Sequence, residues 1–187
     1  SCTAPRDRET SGEDKTSSMQ VIKHTLENGL TVYLSPNHEE PRFYAEIITR
    51  AGSKHDPETN TGLAHYLEHL LFKGTSSFGT VDFEKEKVLL DEITELYEKR
   101  SGEDNETTRS EIYERINEVS TRAAAFAIPN EMDRTYSDMG GKAINAHTWH
   151  EETVYKVDLP ANRLRHWAKI ESERFANPVF RLFHTEL

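Results

Sequence analysis

The chain has 187 residues, a formal net charge of −10, 35% hydrophobic residues and 30% charged residues. That length suits one domain with a useful core, and no apolar run approaches the length of a membrane span. An acidic chain with no basic block and no basic-aromatic interleaving is not built to bind nucleic acid.

Residues 1–19 hold no aliphatic side chain larger than Ala apart from Met19. They read as a disordered polar tether. Cys2 is the only cysteine, so no disulfide forms within the chain. Asn28-Gly29 is a turn signal ahead of the β-prone run Thr31–Leu34, and residues 43–49 form a second strand with Pro41 ahead of it. Residues 61–73 read as a helix, capped by Asn60 or Thr61 and closed by Gly74. Leu63, Leu67, Leu70 and Leu71 make it a mostly buried one.

Helical spacing returns over residues 82–100, breaks at residues 101–105 and resumes over residues 108–127. Two amphipathic helices joined by a short polar turn make a helical hairpin, whose charge forms a solvated face. After Pro129 and Gly140-Gly141 come a strand at Asn145 and a partner at residues 153–157. A helix follows over residues 160–175, with Pro160 in its first turn, and residues 180–187 open another. Strands and helices are mixed rather than alternating, which argues an α+β fold.

The chemistry lies in His65-Tyr66-Leu67-Glu68-His69. Histidines four apart share one helix face, one turn above the other. Neutral imidazoles at that spacing can both reach one zinc ion. Glu68 is placed to act over the same metal as a general base. Taken as five residues alone, the pattern also fits a solvated helix face. An acid and two imidazoles among leucines ask for a partner, however, because unpaired buried charge is costly. His147, His150 and Glu151 carry ligand atoms too, but no helical spacing links them to the pair. His55 and His166 read as surface or core residues.

Four stretches together resemble the M16 zinc metallopeptidases, the insulysin and pitrilysin family. Leu26-Glu-Asn-Gly-Leu-Thr-Val-Tyr-Leu34 is similar to its opening strand, and Ala45-Glu-Ile-Ile-Thr-Arg-Ala-Gly-Ser53 to its second. Gly62-Leu-Ala-His-Tyr-Leu-Glu-His-Leu-Leu-Phe-Lys-Gly-Thr75 is similar to its metal helix. Asn145-Ala-His-Thr-Trp-His-Glu-Glu-Thr-Val-Tyr155 resembles its Asn-Ala-x-Thr segment, in which Glu151 matches a family position. The resemblance spans most of residues 20–187. Residues 80–140 fall outside it and read as an insertion, the helical hairpin.

The resemblance implies a mostly antiparallel sheet packed by helices, and a zinc-dependent endopeptidase acting on extended peptides. Zinc is its cofactor, His65 and His69 are ligands, and Glu68 is the catalytic base. The third ligand is expected beyond Leu187, on a glutamate roughly two helical turns after Glu186. Glu186 itself either orients a ligand histidine and supports the base, or is a plain surface acid. Asn145, Ala146 and Thr148 are expected on an edge strand to which peptide or protein substrate adds as a further strand. A second M16 domain of the full-length chain would close over that substrate, so the 187 residues read as an N-terminal fragment, inactive alone. The alternative is a non-catalytic M16-like peptide-binding or scaffold subunit, against which the intact His-x-x-Glu-His speaks. A lone Cys2 heading a polar tether resembles a bacterial lipoprotein after removal of its signal peptide. That implies a lipid anchor in the cell envelope or periplasm, the alternative being an ordinary exposed thiol.

Overall fold

The computed structural model describes residues 20–182. The expected tether, Cys2 and Glu186 lie outside the described residues. Two units are distinguished, one reaching to Glu40 and one starting at Pro41. The first holds an antiparallel hairpin of β1 (Ile22–Thr25) and β2 (Thr31–Leu34), with Ile22 opposite Leu34. Gly29 sits at φ 86°, the left-handed region a tight turn needs, and Asn28 Oδ1 accepts from the Leu30 N–H at 3.1 Å. The turn signal thus closes a hairpin, and β1 is an element the sequence pattern missed. Its four residues are all exposed, so they carry no alternation to read.

In the second unit, β3 (Arg42–Thr49), β4 (Lys142–Thr148) and β5 (Thr153–Pro160) form an antiparallel sheet in the order β3-β5-β4. The central strand is the most buried, as a strand paired on both sides should be. Phe43 lies opposite Leu159, Ala45 opposite Val157, and Ala146 opposite Tyr155. Side chains alternate across a sheet, so this set shares one face. There Val157 and Leu159 pack on Met132 and Tyr136 of α4 (Glu131–Asp138), with Trp167 and Ile170 of α5 (Leu164–Ala176) against them. Tyr44 and Ile48, on the opposite face, are exposed. The mixture of helix and antiparallel sheet is the α+β arrangement expected.

One helix was unforeseen and one boundary shifts. α4 was not foreseen, because eight residues with two buried apolar side chains, Met132 and Tyr136, are too short to establish a period. Pro160 closes β5 rather than opening a helix, and a single 3-10 turn, Ala161–Arg163, leads into α5.

The helical hairpin is α2 (Phe83–Ser101) and α3 (Glu106–Ala124). Asp82 caps α2 by accepting from the Lys85 N–H at 3.2 Å, and Asn105 caps α3 by accepting from the Thr108 N–H at 3.0 Å. Leu89, Ile93, Ile112, Ile116, Val119 and Ala123 make a core of their own. The remaining helix, α1 (Leu63–Leu70), carries the histidine pair.

Arg181 joins these parts. The residue is 1% exposed, and its Nε donates to Glu86 Oε1 of α2 at 2.8 Å. Nη1 donates to the carbonyls of Lys73 and Phe78 at 2.7 and 3.0 Å, and Nη2 to that of Thr75 at 2.7 Å. Residues 180–182 are therefore irregular where a helix start was expected, because the backbone delivers this guanidinium into the loop after α1. Gly74, at φ 106°, belongs to that loop rather than to the end of α1. A Cβ there would lie 2.2 Å from the Phe78 carbonyl oxygen.

Glu86→Ala should destabilise the protein by about 3–5 kcal/mol, because it strands a buried guanidinium. Val88→Ala, an exposed change on the same helix, should cost under about 0.5 kcal/mol. Urea unfolding of both variants checks this, and equal midpoints would show that Arg181 does not depend on Glu86.

Candidate metal centre

Gly62, at φ 91°, immediately precedes α1. Neither Asn60 nor Thr61 caps it. The Asp56 carboxylate does so from farther back, accepting from the Gly62 N–H at 2.7 Å through Oδ2 and from the Ala64 N–H at 2.8 Å through Oδ1. A carboxylate there satisfies two orphan donors and meets the positive end of the helix dipole. Asp56 was invisible to spacing rules, since six residues separate it from Gly62.

The helix is not mostly buried, contrary to expectation. Leu63 and Leu67 are 40% and 39% exposed, while Glu68 is 8% exposed and Leu70 3%. α1 is short and meets β4 and β5, and its two buried residues, Glu68 and Leu70, stand two positions apart and so point to different sides of the helix. Counting leucines gave apolar content but not which face meets the sheet.

His65 and His69 stand one turn apart and are both exposed. Their Nε2 atoms approach to 3.2 Å, with the rings inclined at 77°. Two nitrogens bonded to one tetrahedral zinc at about 2.0–2.1 Å lie about 3.3 Å apart. The pair therefore has the spacing that a shared zinc ion requires. Among the described residues no group of three His, Cys, Asp or Glu side chains gathers as a metal cage.

Glu68 Oε2 accepts from Thr148 Oγ1 at 2.6 Å. Thr148 Oγ1 is also 3.2 Å from Thr153 Oγ1, which donates to the Ala51 carbonyl at 2.8 Å. The structure thus brings Glu68 and Thr148 together, two residues the sequence had placed in different roles. Asn145, Ala146 and Thr148 do lie on β4, the terminal strand of its sheet. Among the described residues no strand pairs with its outer edge.

The other candidates have partners of their own. His150 Nδ1 is 3.3 Å from Ser53 Oγ, and His55 Nδ1 accepts from the Gly52 N–H at 3.2 Å. Lys54 binds Glu151 and holds its carboxyl below the usual carboxylate range. His147 and His166 are exposed.

Behind the motif sits a buried group that sequence reading did not foresee. Arg174 Nε donates to Glu171 Oε2 at 3.0 Å, and the Tyr136 hydroxyl donates to Glu171 Oε1. The Arg174 guanidinium stacks 4.6 Å from the Tyr155 ring, 5.1 Å from Phe175 and 5.2 Å from Phe72, just past α1. Burial pushes the Tyr155 hydroxyl up to about 12, with Glu68 and Glu171 adding to the rise and Arg174 opposing it. Burial likewise raises Tyr136. The missed signal was Glu171 and Arg174 three apart on a helix that also carries Trp167 and Ile170.

The fold and the motif can be set beside known proteins. Residues 31–111 match the model of the insulinase family, peptidase family M16. The chain is 28% identical to Protease 3 of Escherichia coli (strain K12) over 130 residues, which is 65% of this chain and 12% of that protein. It is 43% identical to the mitochondrial-processing peptidase subunit beta of Rattus norvegicus over 61 residues, 33% of this chain and 12% of that one. In three dimensions it resembles a protease from Helicobacter pylori with a TM-score of 0.60 at 19% identity, over 90% of this chain and 29% of the other. Pitrilysin follows with a TM-score of 0.56 at 18% identity, over 88% of this chain and 12% of the other. By sequence over residues 31–111, and by fold, the chain is similar to the M16 peptidases. It spans about an eighth of the length of the curated relatives it matches, 12% for Protease 3.

Asp56→Ala should loosen α1 by about 1 kcal/mol. Amide hydrogen exchange at residues 64–68 checks this, and unchanged protection would assign the cap elsewhere. A second expectation concerns alkaline stability. Tyr155 ionises near its ordinary 10.0 in the unfolded chain but near 12 in the folded one. Its contribution to stability is complete below the lower value and is lost as pH climbs to the higher. Thermal unfolding across that range should fall less steeply in Tyr155→Phe than in the unmodified protein.

Proposed function

We propose that this chain carries the zinc-binding and general-base residues of an M16 metalloendopeptidase that cleaves peptides in extended conformation. The observation that supports this best is the 3.2 Å approach of His65 Nε2 and His69 Nε2, with the buried Glu68 carboxylate beside them in the chain. Bound by the two imidazoles, zinc would supply Lewis acidity, polarising the scissile carbonyl and easing deprotonation of water near neutral pH. His65 and His69 would hold it through Nε2 in their neutral forms. Glu68 takes a proton from water as the water oxygen bonds to the carbonyl carbon. It hands that proton to the amide nitrogen as the carbon–nitrogen bond breaks.

Two imidazoles are one short of the three protein ligands a hydrolytic zinc site uses. The third is assigned to a carboxylate outside the described residues. The peptide is assigned to the outer edge of β4, where Asn145, Ala146 and Thr148 offer main-chain hydrogen bonds. Such bonds ignore side-chain identity, which suits a peptidase of broad sequence tolerance. A second M16 domain of the full-length protein is assigned the opposite wall of the cleft.

In the full-length protein, Glu68→Gln should retain zinc and lose roughly 100- to 10,000-fold in turnover of a quenched fluorescent peptide. His65→Ala should lose the metal itself. Zinc content by elemental analysis and initial rates separate the two. Normal turnover in zinc-loaded Glu68→Gln would take the base away from Glu68, and a wild-type protein without zinc or cleavage would favour the peptide-binding scaffold.

A further inference from the structure

We infer that Thr148 is a positioning residue for the general base: its hydroxyl holds one carboxylate oxygen of Glu68, so that the other is presented for proton transfer. The inference rests on Glu68 acting as that base.

A threonine hydroxyl has one proton to donate. Thr153 gives its proton to the Ala51 carbonyl at 2.8 Å, so it meets Thr148 as an acceptor, 3.2 Å away. Thr148 must choose between that neutral oxygen and Glu68 Oε2 at 2.6 Å. The shorter contact is to an ionisable carboxylate, and charge-assisted bonds are the shorter and stronger kind. The Thr148 proton therefore belongs to Glu68.

Position makes the contact specific. Thr148 and Thr153 face each other across the antiparallel ladder of β4 and β5, and Thr49 of β3 donates through Oγ1 to the Thr153 carbonyl at 3.1 Å. The hydroxyl is thus mounted on the sheet, not on a flexible loop. Glu68 is buried, and a buried carboxylate with neither partner nor fixed rotamer would waste orientations. With Oε2 engaged by Thr148, Oε1 is the oxygen that exchanges the proton. Thr148 touches neither water nor peptide through its hydroxyl in this scheme, and it acts through Glu68.

The test uses the full-length protein and the isosteric change Thr148→Val, which keeps the β-branched shape and removes the hydroxyl. Zinc content and KM should stay at wild-type values while kcat falls about 10- to 100-fold. Thr148→Ser should recover most of kcat. In a Glu68→Gln background, Thr148→Val should cause no further loss. Independently of turnover, the infrared carboxylate band of Glu68 should shift in Thr148→Val and not in Thr148→Ser. If Thr148→Val does not fold, Thr148→Ala is read by the same kcat-to-KM split.

Wild-type kcat in the folded, hydroxyl-free variant overturns the inference. A raised KM with intact kcat does so too, since the hydroxyl would then bind substrate. Loss of zinc, or losses that add to those of Glu68→Gln, would give Thr148 a structural role instead. Normal turnover in Glu68→Gln sinks the base assignment and this inference together. A Glu68→Gln loss beside a fully active Thr148→Val sinks the inference alone.

Discussion

The Arg181 guanidinium is the constraint on which the second unit turns. A charge at 1% exposure is tolerable only when every donor is matched. Here the matching groups are Glu86 of α2 and the carbonyls of Lys73, Thr75 and Phe78. Those carbonyls belong to the loop that leaves α1. One side chain therefore fixes the exit of the histidine-bearing helix against the helical hairpin. The close approach of the loop to itself follows, and with it the glycine at position 74, where a Cβ would strike the Phe78 carbonyl.

The entrance of α1 is held by charge as well. Asp56 takes two backbone amides at the first turn. Between the two ends, Glu68 and Leu70 are buried while Leu63 and Leu67 remain exposed. A helix of eight residues is marginal by propensity alone. Its place is secured by polar groups from outside it more than by its own leucines. Such an arrangement suits a helix that must present two imidazoles at a set angle. Apolar packing is non-directional, whereas hydrogen bonds at each end fix both tilt and rotation.

What could be read from the chain follows from this. The His65, Glu68 and His69 pattern was legible because three residues of one helix carry it and helix geometry is fixed. The hairpin was legible because Leu89, Ile93, Ile112, Ile116 and Val119 repeat at helical spacing over long runs. β1 and α4 were not, being too short to show a period. Neither was the burial of α1. Which side of a short helix meets a sheet is decided by residues such as Asp56, Thr148 and Arg181, between about six and more than a hundred positions away along the chain. Local pattern does not hold that information, and Leu63 and Leu67 remain exposed on a helix expected to be mostly buried. The cluster of Tyr136, Glu171, Arg174 and Tyr155 was hidden for the same reason, since its members come from α4, α5 and β5.

On the proposed function, strand β4 would serve several tasks without conflict. Successive side chains of a strand point to opposite faces, while its backbone groups lie in the sheet plane. Thr148 and Ala146 fall on the face toward α1 and Tyr155, and Thr148 uses that position to reach Glu68. Asn145 and His147 fall on the other face. The inner edge of the strand bonds to β5, which leaves the outer edge for an added strand. A peptide taken up there would be aligned by the same backbone that, through Thr148, would orient the base. Register between peptide and base would then be set by a rigid ladder rather than by mutually mobile loops. Positional error in the reacting atoms is what reduces turnover most steeply, so joining both functions to one strand is a direct physical route to keeping that error small.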